Sequence, residues 1–302
     1  MNRNHMHCWP ELERFGKTID IPGWAQPLFL YDSAADDSNI ESNTFPVILI
    51  HGLGDEADTW RHLFPLLART RRVIAPDLPG FGRSAATGRM TIARHADAIQ
   101  ALLRNTGKAI LVGNSLGGAI AELVSFRESA LVASLILIDG GLPTRGKLTP
   151  SLLASLIPGL AERGYRAWRK VGADAYGSLA PYYAGLENLG EKDREFLRVR
   201  VQDRVASESQ CRAYCSSFRS YLRTALFAQG KFARLLVRSR IPLLVIWGDT
   251  DRIIPVASRA SILALRPDAT VETILRCGHL PQQERPDETH AAIERFLASS
   301  GQ

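Results

Sequence analysis

Gly113-Asn114-Ser115-Leu116-Gly117-Gly118 places one hydroxyl among three glycines at the point where an apolar run breaks. The residues before it, 109 to 112, read as a buried strand, and Ala119-Ile120-Ala121-Glu122-Leu123-Val124 after it read as a helix. The serine therefore stands at a sharp strand-to-helix turn with the spacing G-x-S-x-G. Small neighbours let strand and helix approach closely and leave the hydroxyl exposed above the sheet, which suits a nucleophile. A serine that only caps a helix fits the same letters. The partners available elsewhere in the chain decide between the two.

A serine hydroxyl is a weak nucleophile near neutral pH and needs a base, which in turn needs an orienting group. Seven histidines are present. His5 and His7 fall in the first residues, and His62, His95 and His290 sit within helical patterns, where packing or surface roles are the ordinary ones. His51 and His279 remain, each in a glycine-containing turn after a strand-like run. His279, in Cys277-Gly278-His279-Leu280, is the better base, because His51 directly precedes Gly52-Leu53-Gly54, a turn able to aim backbone N–H groups at an oxyanion. For the acid, Gly248-Asp249-Thr250-Asp251 offers Asp251, with Asp249 second, and Asp139 is a third candidate at another strand end. Asp77, in Pro76-Asp77-Leu78-Pro79-Gly80, reads as a carboxylate that fixes its loop through backbone N–H groups.

These residues need a scaffold that gathers strand ends. Val47-Ile48-Leu49-Ile50, Val73-Ile74-Ala75, Leu135-Ile136-Leu137-Ile138 and Leu243-Leu244-Val245-Ile246 are short continuous apolar runs, as expected of strands covered on both faces. They alternate with helical spacing at Trp60 to Leu67, Ile92 to Leu103, Val256 to Leu265 and Asp287 to Leu297. Phe15 to Ile21 and Leu28 to Tyr31 read as a further strand pair. Repeated β-then-α units predict an α/β fold with a mostly parallel central sheet and helices on both faces, whose reactive groups collect at the carboxyl ends of the strands. His51, Asp77, Ser115, Asp139, Asp251 and His279 all fall there.

Between residues 143 and 240 the strand-like runs stop. Helices are expected over Ser151 to Leu160, Arg163 to Ala173, Lys192 to Val205 and Ser207 to Leu226. The expected organisation is an N-terminal tail over 1–14, an α/β core made of 15–142 and 241–302, and a helical cap over 143–240.

In chain order, serine then aspartate then histidine, this set resembles the α/β-hydrolases. His51-Gly52-Leu53-Gly54, the loop from Asp77 to Ser84, the Ser115 elbow, Gly248-Asp249-Thr250-Asp251 and Gly278-His279 all look like that superfamily's motifs in the right order. The resemblance implies Ser115 as nucleophile, His279 as base, Asp251 as acid, and the backbone N–H groups of Leu53 and Leu116 as oxyanion-hole donors. Serine at 115 separates the chain from haloalkane dehalogenases and epoxide hydrolases, which use aspartate there, and leaves acyl chemistry. Gly113-Asn114-Ser115 and the arginine-rich cap are also similar to carbon–carbon bond hydrolases of ring-fission products. In those enzymes a cap arginine holds a substrate carboxylate, which makes Arg194 and Arg198 candidates here, as are Arg200 and Arg204 on the same expected helix. Leu280, where such enzymes usually carry tryptophan, and the glycine-poorer turn at His51 to Asp55 favour a carboxylic-ester hydrolase over a 2-hydroxy-6-oxo-dienoate hydrolase. Lactones, thioesters and peracids call on the same triad. A non-catalytic binding protein on this scaffold is the alternative of another class, and such relatives commonly lack a triad member. His51, Gly52 and Asn114 join Arg194 and Arg198 as candidate substrate contacts.

Composition narrows the rest. The chain has 302 residues, 45% of them hydrophobic, and a formal net charge of +6. Residues 143–240 hold 18 Lys and Arg against 8 Asp and Glu, so the cap is the basic part. Its basic residues are interleaved with acidic and apolar ones and form no run of the kind that binds nucleic acid. The surplus either solvates helices or attracts an anionic small-molecule substrate. No apolar run reaches the length of a membrane span, and the first ten residues lack the apolar stretch of a secretory signal, so a cytoplasmic protein is expected. Cys8, Cys211, Cys215 and Cys277 form neither a disulfide framework nor a metal-ligand pattern, and no metal or cofactor is expected. The sequence carries no signal for oligomeric state.

Overall fold

Period-two alternation within the strands sorts their side chains onto two faces. The computed structural model describes residues 8–22, 24, 26–35, 44–144, 149–170 and 175–302. Eight strands form one sheet: β1 Gly16–Ile19, β2 Leu28–Asp32, β3 Val47–Ile50, β4 Val73–Pro76, β5 Ala109–Asn114, β6 Val132–Ile138, β7 Leu243–Gly248 and β8 Thr270–Ile274. Their order across the sheet is β1-β2-β4-β3-β5-β6-β7-β8. β1 and β2 pair antiparallel at one edge, β2 joins β4 antiparallel, and every pairing from β4 to β8 is parallel.

The helices are α1 Leu63–Leu67, α2 Ile92–Thr106, α3 Leu116–Arg127, α4 Pro150–Ala154, α5 Leu160–Lys170, α6 Glu191–Ala206, α7 Glu208–Arg223, α8 Gln229–Arg238, α9 Ala257–Leu265, α10 Pro281–Glu284 and α11 Pro286–Ser299. Ile48, Ile50, Leu111, Leu137 and Val245 pack with α2, α3 and α8 in one core layer. Val47, Leu49, Ile110, Val112, Ile136 and Ile246 pack with α1 and α11 in the other. One-residue alternation thus fills both layers from the same strands, as an α/β sheet covered on both sides requires. β5, entirely buried at the centre, delivers Ser115 to the carboxyl edge.

Three expectations need correction. Residues 9 to 14 are not a tail: Pro10–Phe15 is a 3-10 helix whose Leu12 and Phe15, with Trp9, are buried in the second layer. The apolar triplet at 9, 12 and 15 has too short a repeat to register as helix or strand. His5 and His7 lie outside the described residues. The helix expected over Ser151 to Leu160 ends at Ala154, because Pro158 lacks a backbone donor and Gly159, at φ +84°, turns the chain before α5 begins. The helix expected over Ser207 to Leu226 is regular only to Arg223, and a π-helical turn, Thr224–Ala228, joins it to α8. The last residues of the expected Arg163 to Ala173 helix lie outside the described residues.

Between β6 and β7 the described residues contain helices and no strand. Two of these helices return to the core. On α6, Arg200 and Arg204 both bond Glu56, in the turn after β3, and Arg204 also meets Asp55 at 3.1 Å. Asp193 at the start of α6 receives Arg61 at 2.5 Å and His62 at 2.9 Å. Ser216, Ser217 and Ser220 of α7 bond Met90, His95 and Ile92 at the start of α2. Among the described residues no helix is long and apolar enough to cross a membrane.

Candidate active site

The turn that carries Ser115 is forced by contacts too close for any side chain. A Cβ on Gly113 would come to 2.3 Å from the carbonyl oxygen of Gly117, and one on Gly117 to 2.1 Å from that of Ile50. With both glycines, α3 starts directly against β3 and β5. Ser115 itself takes φ +56°, ψ −120°, outside the ordinary region for an L residue. Such strain persists only where surrounding structure holds it. Here the Ser115 N–H donates to Ile138 O at 3.0 Å, and Gly140 lies against the Ser115 backbone where a Cβ would meet it at 2.4 Å.

His279 is reached from the other side. Its Nδ1 meets Asp251 Oδ2 at 2.9 Å, so a proton on Nδ1 donates to the carboxylate and leaves Nε2 as the basic nitrogen. Nε2 is buried and has no hydrogen-bond partner among the described residues. The backbone of His279 is held twice: its N–H donates to Tyr182 O at 2.8 Å, and its carbonyl accepts from Asn114 Nδ2 at 3.1 Å. Asp251 Oδ1 accepts the N–H groups of Ile253 and Ile254 at 2.7 and 3.1 Å, so the carboxylate is oriented from both ends. Asp249, the second-choice acid, turns instead to the N–H of Cys277 at 3.1 Å.

Ser115 and His279 face one cavity of about 570 Å³, walled on the core side by Gly52, Leu53, Gly54 and Asn114. The wall from the cap is mainly aromatic and aliphatic, with Leu179, Tyr182, Val201, Tyr214 and Phe218. Tyr182 and Tyr214 were not singled out from sequence. For Tyr214 the signal was present, since Cys211, Tyr214, Cys215 and Phe218 recur at helical spacing on one face of α7. Tyr182 lies in a 3-10 segment, Gly177–Tyr182, that leaves no periodic trace.

The candidate oxyanion donors differ in placement. Leu53 is on the cavity wall, whereas Leu116 is buried behind Ser115 as the first residue of α3, where its N–H has no intrahelical acceptor. The helix start also favours negative charge.

His51 is fully buried and braces the turn. Its Nε2 accepts the Leu78 N–H at 2.8 Å, which puts the proton on Nδ1, and Nδ1–H donates to Gly52 O at 2.8 Å. Burial lowers its pKa, which keeps it in this neutral form. It does not reach the cavity, so its candidacy as a substrate contact is withdrawn, while Gly52 and Asn114 do line the wall. Asp77 accepts Ala57 N–H and Arg83 N–H, each at 2.7 Å, and pins its loop to the same turn.

Arg194 and Arg198 also lie away from the cavity. Arg194 is directed at the carbonyl of Glu187, and exposed Arg198 stands 5.2 Å over the ring of Tyr176. Arg204 is the one lysine or arginine on the wall among the described residues, and it is bound to Asp55 and Glu56. Burial alone would raise the Glu56 pKa, but the charges of Arg204 and Arg200 outweigh it and hold the carboxyl well below its ordinary range.

Asp139, Asp251 and His279 bring ligand-type atoms within 4.8 Å of one another, which is the nearest approach to a cation-binding set among the described residues. The His279 nitrogen nearest the carboxylates is engaged by Asp251, so the set reads first as an acid–base cluster.

A family model described as alpha/beta hydrolase matches residues 47–292, from the first parallel strand to the closing helix. The chain belongs to this family. A 2-hydroxy-6-oxo-6-(2'-aminophenyl)hexa-2,4-dienoic acid hydrolase from Metapseudomonas resinovorans is 31% identical over 263 residues, covering 84% of this chain and 84% of that hydrolase. Among solved structures, a meta-cleavage product hydrolase from Pseudomonas fluorescens IP01 superposes with a TM-score of 0.72 at 25% identity, covering 95% of this chain and 99% of the other. A thermophilic esterase from Thermogutta terrifontis shares the fold with a TM-score of 0.73 at 23% identity, covering 95% and 99% of the two chains. Family membership and the relatives' names support hydrolase chemistry for this α/β-hydrolase.

Proposed function

We propose that this α/β-hydrolase cleaves carboxylic esters, or related acyl compounds, through an acyl-enzyme, with residues 9–142 and 241–302 as its core and 143–240 as its cap. The observation that carries the reading is the 2.9 Å contact of His279 Nδ1 with Asp251, which leaves Nε2 without a hydrogen-bond partner among the described residues, in a side chain that lines the same cavity as Ser115. Ser115 Oγ attacks the carbonyl carbon as Nε2 takes the hydroxyl proton, and the oxyanion lies toward the N–H groups of Leu53 and Leu116. Collapse expels the alcohol, which receives the proton from His279. Water then repeats the sequence on the acyl-enzyme and releases the acid. Each oxyanion donor is worth about 2.7 to 4 kcal/mol to the transition state.

An ester with apolar groups suits the cavity better than an anion does. The wall is largely apolar, Arg204 is neutralised by Asp55 and Glu56, and Asp55 adds a carboxylate of its own. Hydrolysis of a carbon–carbon bond in a dienoate is the second reading, favoured by the 31% identical relative that bears such a name. A panel of p-nitrophenyl esters of increasing chain length, run beside a 2-hydroxy-6-oxo-dienoate, separates the two. A higher kcat/KM on the esters is expected, and preference for the dienoate would reverse the order.

A further inference from the structure

The mechanism above leaves Asp139 without a task, yet its placement is costly. It follows β6, has no exposed surface, and takes φ +45°, a region that aspartate and asparagine enter more readily than other L residues besides glycine. Its Oδ1 accepts the Gly248 N–H at 2.9 Å, at the end of the neighbouring strand. Its Oδ2 is buried and has no donor directed at it among the described residues. One oxygen of Asp139, one of Asp251 and one nitrogen of His279 lie within 4.8 Å of one another.

Two carboxylates within 4.8 Å of each other and out of water disfavour a second negative charge. Hydrogen bonds decide which keeps the charge. Among the described residues Asp251 receives Ile253 N–H, Ile254 N–H and His279 Nδ1, whereas Asp139 receives only Gly248 N–H. The proton therefore belongs on Asp139, where it turns the unpartnered Oδ2 into a donor. The other groups facing Asp139 do not reverse this. Glu284 adds acidic character, its carboxylate taken up by the N–H groups of Gly278 and Ala184, and the Cys277 thiol is buried. Burial, and then the charge of Asp251, push the Asp139 carboxyl well above its ordinary range.

We propose that Asp139 is a positioning residue, a neutral acid that donates Oδ2–H to Asp251 and fixes that carboxylate for His279. The inference rests on the Ser115–His279–Asp251 reading. The donated hydrogen bond holds the Asp251 carboxylate where His279 Nδ1–H meets it, so the imidazole stays oriented with Nε2 left to act as the base.

Asparagine tests this, because its amide reproduces the neutral acid, with Oδ1 accepting from Gly248 and Nδ2 donating to Asp251, and it tolerates the same backbone. Asp139→Asn and Asp139→Ala would be compared with wild type for kcat/KM on a p-nitrophenyl ester from pH 5 to 9, for rate of fluorophosphonate labelling, and for urea midpoint. Asp139→Asn is expected to stay within about threefold of wild type in kcat/KM and in labelling rate, whereas Asp139→Ala falls by roughly 10 to 100-fold in both, the scale of a lost hydrogen bond to a charged group. An asparagine variant that folds like wild type but falls as far as alanine would overturn the proposal, as would an alanine variant with unchanged kcat/KM and labelling rate. Activity lost to a chelator and restored by a divalent cation would also overturn it, by assigning the cluster to a metal. A wild-type protein that fails to label at all would instead overturn the triad reading on which the proposal rests.

Discussion

Arg204 on helix α6 of the cap and Glu56 in the turn after strand β3 meet at 2.9 Å in a buried ion pair, so the one arginine on the cavity wall among the described residues is already committed to the core. Arg200, which has no exposed surface, shares the same carboxylate. The turn that presents Leu53 is thereby fastened to the cap, and the basic surplus of the cap is spent partly on carboxylates of the core.

Removing one partner of such a set strands the others. Glu56→Gln is expected to lower stability by about 3 to 5 kcal/mol, because Arg200 and Arg204 lose their buried counter-ion. Urea unfolding measures this directly. Combining Glu56→Met with Arg200→Met should recover much of the loss, and a double variant no better than the single one would mean that the pair is not the cause.

The committed arginine also predicts substrate preference. A neutral ester should exceed its carboxylate-bearing analogue in kcat/KM, with little dependence on salt between 50 and 500 mM, a range over which an exposed basic face would lose its pull, since the Debye length is about 10 Å at 0.1 M. A clear advantage for the anionic ester that fades with salt would show that the cap arginines do select anions.

Two buried histidines set an acid sensitivity. Burial holds His51 below its ordinary pKa of 6.5, and burial pushes His95 down to about 3. Below pH 6.5 the unfolded chain binds more protons at these residues than the folded one does, so stability falls as pH falls and is fully regained above that value. The expected slope between pH 6 and 5 is about 1.2 kcal/mol per pH unit from His95, and His51 adds to it in the same direction. His95→Gln, which keeps a polar contact with Ser217, should remove one histidine's share of the slope. An unchanged slope in that variant would sink the assignment.

The elbow offers a steric check. Gly117→Ala puts a methyl group where the Ile50 carbonyl stands 2.1 Å away, and backbone cannot yield as a side chain can. A loss of about 1 to 3 kcal/mol or more is expected, with activity falling further than stability because α3 must shift under Ser115.

Strand ends were the legible part of this chain. Val47–Ile50, Ala109–Asn114 and Leu243–Gly248 are apolar on both faces, so their ends, and with them Ser115 and the loop of Asp251, could be placed from the letters alone. The cap was harder for a physical reason. Arg194, Arg198, Arg200 and Arg204 share one helix, and chemistry alone does not tell which face meets the cavity. The structure turns Arg200 and Arg204 inward because Glu56 is there to receive them. Likewise the contact of Asp139 with the acid cluster depends on two adjacent strands ending level with each other, a fact of sheet register that no local pattern carries.

The central claim is that Ser115 is activated by His279. Labelling by a fluorophosphonate, read by mass spectrometry of the peptide that contains Ser115, tests it most directly. Wild-type protein should carry one adduct at Ser115, Ser115→Ala none, and His279→Ala should react slower by several orders of magnitude, about 10³-fold or more, while keeping its urea midpoint. His279→Ala protein that is folded and still labels at the wild-type rate would contradict the account.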